Sequence, residues 1–193
     1  MKNLYNKIFT KLILLIIFRF FESLEKIDFV LIKKSSSFPY IKKGSDLDVL
    51  TTNLVLFENE INKFLPKYKL INLKTIHKSL DHYQFDIFLG KIFYIKLDII
   101  SSKFNMNGLK NCELFLEQTL SNKKIFTFRF FLKNFKVFIP SSFDEVIIRY
   151  LEFQKYPHKT HHKDYINSQK SYIFDEINKE YSQFLNKPIR RYS

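Results

Sequence analysis

The stretch "KKGSDLDVLTTNLVLFENEINKFLPK", Lys42 to Lys67, decides how this chain is read. Only three glycines occur in 193 residues, and one of them, Gly44, stands directly before Ser45 and two aspartates one residue apart. Side chains alternate along a strand, so Asp46 and Asp48 share one face while Leu47 and Val49 take the other. Asn53 then offers an N-cap for a helix whose apolar residues Leu54, Phe57, Ile61 and Phe64 recur at helical spacing, and Pro66 closes it. A strand carrying paired carboxylates thus runs straight into an amphipathic helix.

Working outward from that unit, the preceding "IDFVLIKK" predicts a buried strand, Ile27 to Lys33, bounded by the serines at 35 to 37. Before it, the apolar N-terminal segment has an uncharged core, Leu12 to Phe18, well short of the roughly 20 residues that a spanning helix needs. Lys7, Lys11, Arg19 and Glu22 interrupt its flanks, so the expectation is a helix buried against a sheet, with no transmembrane segment. Downstream, "YKLINLKTI" predicts one strand, and "HYQFDIFL" and "KIFYIKLDII", separated by Gly90, predict a β-hairpin. In its second strand Phe93, Ile95, Leu97 and Ile99 form an apolar face, and Tyr94, Lys96 and Asp98 point the opposite way. From Asn111 onward we expect one more strand at "FKVFIP" and then helices. The first of these has Ser142 and Glu145 as a capping box, with Phe143, Val146, Ile147, Tyr150 and Leu151 on one face; the tail from His161 to Asn186 is expected to be helical.

This order lacks strict strand and helix alternation, which argues for an α+β fold rather than a doubly wound sheet. The expected organisation is a core over residues 1–110 and a C-terminal strand with a helical extension over 111–193. Hydrophobic residues make up 46% of the chain, too many for a disordered protein. The net charge of +13 favours polyanionic partners, although the lysines are scattered and most belong to solvated surface. A single cysteine, Cys112, excludes an internal disulfide and a cysteine-rich zinc site, and suits a reducing cytoplasm.

If the strands bearing Asp46, Asp48 and Asp98 are neighbours in one sheet, three carboxylates converge on an open face. Their mutual repulsion calls for a cation, and hard oxygen ligands suit Mg²⁺ or Mn²⁺, which also bind substrate phosphates. Gly44 lets the backbone approach a phosphate or adopt positive φ, and the Ser45 hydroxyl or a free amide can bind an anion. Asp86, which shares a face with Gln84 and Phe88, is the rival to Asp98 as third carboxylate.

"GSDLDVL", preceded by "FVLIKK" and followed by a helix and then "YIKLDII", resembles the DNA polymerase beta-like nucleotidyltransferase superfamily. It is similar to small bacterial nucleotidyltransferase-like proteins whose motif reads Gly-Ser-Asp-(Ile/Leu)-Asp-(Ile/Leu/Val). The resemblance covers roughly residues 27 to 101. It implies a palm-like mixed sheet with helices on one face and a helical C-terminal extension. It also implies that Asp46 and Asp48 bind the divalent cation, that Asp98 completes the site as ligand or general base, and that a nucleoside triphosphate gives its nucleoside monophosphate to an acceptor hydroxyl with release of pyrophosphate. The family usually has Gly-Ser or Gly-Gly shortly after the first strand; here that place reads Lys34-Ser35, so Ser35 would contact a phosphate and Lys34 supply charge. The acceptor is a small molecule, nucleic acid or protein. A catalytically silent relative that binds nucleotide or a partner protein is the alternative that this departure favours.

Other features carry less. His158 and His162 are the only pair in "YPHKTHHKDYINSQK" at helical spacing for zinc, and Pro157 argues against a continuous helix there. A hairpin turn centred on Gly90 sets His82 opposite Asp98. Cys112 has no His or acidic residue near it in sequence to activate it.

Overall fold

The computed structural model describes residues 2–24, 26–32 and 38–192, with side chains from Thr10 onward. The chain is α+β: α1 (Lys2–Ser23), β1 (Phe29–Leu31), β2 (Asp46–Thr51), α2 (Leu54–Phe64), β3 (Ile71–Ser79), β4 (His82–Leu89), β5 (Ile92–Ser101), α3 (Cys112–Ser121), β6 (Lys124–Phe130), β7 (Lys133–Ile139), α4 (Ser142–Lys155), α5 (Thr160–Asn167) and α6 (Ser171–Glu180). Five strands form a mixed sheet in the order β1-β2-β5-β4-β3, in which only the β2–β5 pairing is parallel. Strands β6 and β7 form a separate antiparallel hairpin.

The sheet is covered on both faces, which corrects the expectation of helices on one face. Side chains alternate, and both sets of buried residues are apolar over part of the sheet. Leu47, Val49, Leu97 and Ile99 look toward α1, α2 and the inner face of the β6–β7 hairpin. Val30, Leu50 and Ile100 look toward α3 and the C-terminal helices. The segment after residue 111 therefore contributes to both cores. In the first core Phe18 packs edge-on against Phe128 and Phe130, at 4.8 and 5.2 Å between centroids. Burial of each such ring stabilises the fold by roughly 1.5–3 kcal/mol. No helix among the described residues is long and apolar enough to cross a membrane.

Local expectations hold for α2, where the Asn53 side chain accepts from the Leu56 N–H at 2.9 Å, and for the β4–β5 hairpin, where Gly90 adopts φ +58. Others shift. The N-cap of α4 is Ser141, whose hydroxyl accepts from the Asp144 N–H, and not Ser142. Tyr94 is buried in the first core rather than pointing with Asp98, because a bulge opposite Phe88 inserts it as an extra residue. Helix α3 and strand β6 were not expected. The β6–β7 turn consists of Phe131 and Leu132, so it lacks the Gly, Asn or Pro that marks a turn in sequence.

Candidate functional site

Strands β2 and β5 lie side by side and parallel, with Asp46 opposite Lys96 and Asp48 opposite Asp98. Because these positions have the same parity, all four side chains stand on the face that carries Leu50 and Ile100. Further along the strands that face is closed by α3 to α6. At the strand starts it is open, and a cavity of about 280 Å³ remains, lined by Asp46, Asp48, Lys96 and Asp98. The covering helices thus bury the apolar half of the face and leave the carboxylate half accessible.

Lys96 is the centre of the electrostatics. Its ammonium lies 3.0 Å from Asp46 Oδ2 and 3.2 Å from Asp98 Oδ2, bridging the two strands. Burial alone would lower its pKa, but the two aspartates outweigh that and hold it above the ordinary lysine value. Asp98 has two further partners: His82 donates from Nε2 to Oδ1 at 2.6 Å, and Lys78 Nζ donates to the same oxygen at 3.0 Å. Burial pushes the Asp98 carboxyl up, yet the bonds from His82 and Lys78 and the charge of Lys96 prevail and hold it far below the usual carboxylate range.

A pH dependence follows. The folded-state pKa of Asp98 lies below that of the unfolded chain, so its contribution to stability is present above about pH 4 and is lost as the pH falls through the folded value. The urea midpoint of the wild type will fall on acidification from pH 5 to pH 3, and the Asp98→Asn variant will show a flatter profile over that range; equal slopes would refute the assignment.

Two of these cations arrive by different routes. Lys96 is two residues before Asp98 on the same strand face. Lys78 is the extra residue of a β3 bulge between His77 and Ser79, which re-aims it toward β5. His82 faces Ile100 in the register, with Gln84 opposite Asp98, so the expected direct pairing is corrected to a diagonal contact.

The opposite wall comes from the C-terminal part of the chain. Glu152, Lys155 and Tyr156 at the end of α4, with Lys159 just beyond, line the cavity. Glu152 is held from behind: the buried His162 of α5 lies with Nε2 2.8 Å from Glu152 Oε2. Arg149 NH1 meets Nδ1 of the same ring at 3.4 Å, and since a guanidinium only donates, Nδ1 accepts. Arg149 is itself paired with Glu145 at 2.7 Å and stacks on Tyr165 at 4.2 Å. The loop Phe104 to Asn107 closes the remaining side. Cys112 anchors it, accepting from the Met106 N–H and donating to the Phe104 carbonyl, both at 3.1 Å. Burial raises its thiol pKa, in keeping with a structural role.

Of the residues named from sequence, Asp46, Asp48 and Asp98 meet in the cavity. Gly44 and Ser45 are not in its lining. Gly44 is needed for a backbone φ of +83, and its N–H donates to the Tyr94 carbonyl at 2.7 Å; the Ser45 N–H donates to the Lys42 carbonyl. These amides close the turn that starts the β2–β5 ladder, so they are not free to hold a phosphate. Lys34 and Ser35 lie outside the described residues. Asp86 sits one strand further out, opposite Lys96 and Lys74, and accepts from Gln84. His158 precedes α5 and is exposed while His162 is buried, so the pair does not share a helical face.

The donor set suits a hard divalent cation: three carboxylates on one sheet face, with a positive group already drawn between two of them. Lys96 occupies the space between Asp46 and Asp98. Among the described residues no three acidic, histidine or cysteine side chains are grouped around one metal-sized point. Compared with known proteins, the chain matches no protein-family model and no curated protein sequence.

Proposed function

We propose that the chain is a divalent-metal-dependent nucleotidyltransferase, transferring a nucleoside monophosphate from a nucleoside triphosphate to an acceptor hydroxyl and releasing pyrophosphate. One observation carries the reading: Asp48 and Asp98 are direct neighbours across parallel strands, with Asp46 on the same face, in a cavity whose far wall presents Lys155 and Lys159. Asp46, Asp48 and Asp98 would hold Mg²⁺ or Mn²⁺, which supplies Lewis-acid stabilisation of the phosphoryl oxygens. Lys78, Lys155 and Lys159 offset phosphate charge from both walls. With its pKa driven down, Asp98 serves as a charge-holding ligand and is a poor general base near neutral pH.

The test is pyrophosphate release from a panel of triphosphates with Mg²⁺ or Mn²⁺, with and without chelator. Metal-dependent release supports the reading; no release with any triphosphate, together with no metal-dependent nucleotide binding, refutes it. A second reading, a catalytically silent nucleotide-binding relative, is favoured by the Lys96 bridge, because an internal cation already pairs with two of the three carboxylates. Turnover separates the two: pyrophosphate release supports the enzyme, and metal-dependent nucleotide binding without release supports the silent relative. Under either reading Lys96→Met binds Mn²⁺ about tenfold or more tightly than wild type, since an opposing charge is gone, and unchanged affinity would remove the metal from this site.

A further inference from the structure

We propose that the turn of the β6–β7 hairpin, Phe131–Leu132, is an apolar wedge that seats this end of the molecule on an anionic lipid bilayer. The turn is anomalous in two ways. Leu132 is 92% exposed and Phe131 52% exposed. Phe131 also adopts φ +54, a left-handed conformation that hairpin turns usually give to Gly or Asn. A bulky aromatic residue there costs folding energy and leaves apolar surface in water, so neither stability nor solubility explains it.

The neighbourhood is apolar at the tip and basic around it. Lys11 of α1 lies 5.5 Å from the Phe131 ring, next to the partly exposed Leu12. Tyr40, 56% exposed, packs against Phe130 at 5.6 Å. Arg129 and Lys136 are exposed on the outer face of the hairpin, whose inner face is occupied by Phe128, Phe130, Phe135 and Val137. From Asn122 to Phe143 the chain has five Lys and Arg and no Asp or Glu; of the five, Lys123 pairs with Asp28 and Lys133 with Glu22, so the collar rests on Lys124, Arg129 and Lys136. An aliphatic tip, an amphipathic tyrosine beside it and a basic collar are the features that bind anionic headgroups while the apolar residues enter the acyl boundary. The other highly exposed leucine, Leu80, lacks this setting and adjoins Asp81.

A protein partner fits less well. The apolar part is a convex two-residue tip, whereas a specific protein interface needs about 800 Å² per partner and a packed centre. The proposed contact is a peripheral one, made by a two-residue tip. It does not depend on the nucleotidyltransferase reading.

The experiment is co-sedimentation of the full chain with vesicles of phosphatidylcholine alone or phosphatidylcholine with phosphatidylglycerol. Binding is expected to the anionic vesicles, weakening as salt is raised from 0.05 to about 0.5 M as surface charges are screened. Phe131→Gly with Leu132→Ser is expected to reduce it roughly tenfold or more. Glycine suits the positive φ, so this variant keeps the fold, checked by its thermal melt. The chain has no tryptophan, so Leu132→Trp places a single tryptophan at the tip, and its emission, excited to the red of tyrosine absorption, will shift to the blue on anionic vesicles. No binding by the wild type, or equal binding by the folded double variant, or an unshifted tryptophan on bound protein, overturns the proposal.

Discussion

On the proposed nucleotidyltransferase reading, Asp48→Asn will lower metal-dependent pyrophosphate release about 10³-fold, and Asp46→Asn will do the same, because each would remove an anionic ligand worth several kcal/mol to a developing transition-state charge. Asparagine keeps the shape, and Asp46 and Asp48 stand on a sheet face whose apolar partners Leu47 and Val49 remain in the first core, so the fold survives. The two variants differ in one respect. Asp46 is ion-paired to Lys96, so its loss leaves that lysine on Asp98 alone, whereas Asp48→Asn leaves the whole Asp46–Lys96–Asp98 bridge in place. Steady-state rates at saturating triphosphate, alongside circular dichroism of each variant, check this; turnover within threefold of wild type for Asp48→Asn would remove Asp48 from the site. Asp86→Asn is the matched control and should leave turnover unchanged, since that carboxylate is engaged by Gln84 outside the cavity.

Arg149→Met will destabilise the chain by about 3–5 kcal/mol, the cost of leaving a buried partner charge uncompensated. Arg149 is 5% exposed, Glu145 7% and His162 3%, so water does not replace the lost guanidinium. The double variant Glu145→Leu with Arg149→Met should recover much of the loss, because an apolar pair of similar volume removes the orphaned carboxylate. Urea midpoints of wild type, both single variants and the double variant measure the coupling. Additive losses would mean that the pair does not act as a unit. In the Arg149→Met variant His162 also loses its guanidinium neighbour, which loosens the His162–Glu152 pair in the cavity wall, so on the proposed reading turnover should fall even where the protein is folded.

Much of the fold was legible wherever a local signal and a tertiary demand agree. The Asn53 cap, the spacing of Leu54, Phe57 and Ile61, and the Gly90 turn each announce their element within a few residues, and each is found. Legibility failed where a local signal was missing or displaced. The Phe131–Leu132 turn has no turn residue, so β6 went unseen; Ser141 and Ser142 are both competent caps, and only packing chose between them. The bulges at Lys78 and Tyr94 leave no mark in the residue pattern, yet they decide which way those side chains face.

By itself the sequence determined that Asp46, Asp48 and Asp98 stand on strand faces opposite to apolar ones, because alternation along a strand is a covalent property of the extended backbone. It also set Gly44 directly before them, where the backbone takes φ +83. Only the tertiary structure decided that β2 and β5 are parallel neighbours in a register that sets Asp48 against Asp98, that Lys96 bridges Asp46 and Asp98 while Lys78 reaches Asp98, and that α4 and the residues after it bring Glu152, Lys155 and Lys159 over them. Those contacts join residues far apart in the chain, and their geometry is set by how the two cores pack on either side of the sheet, which no local pattern encodes.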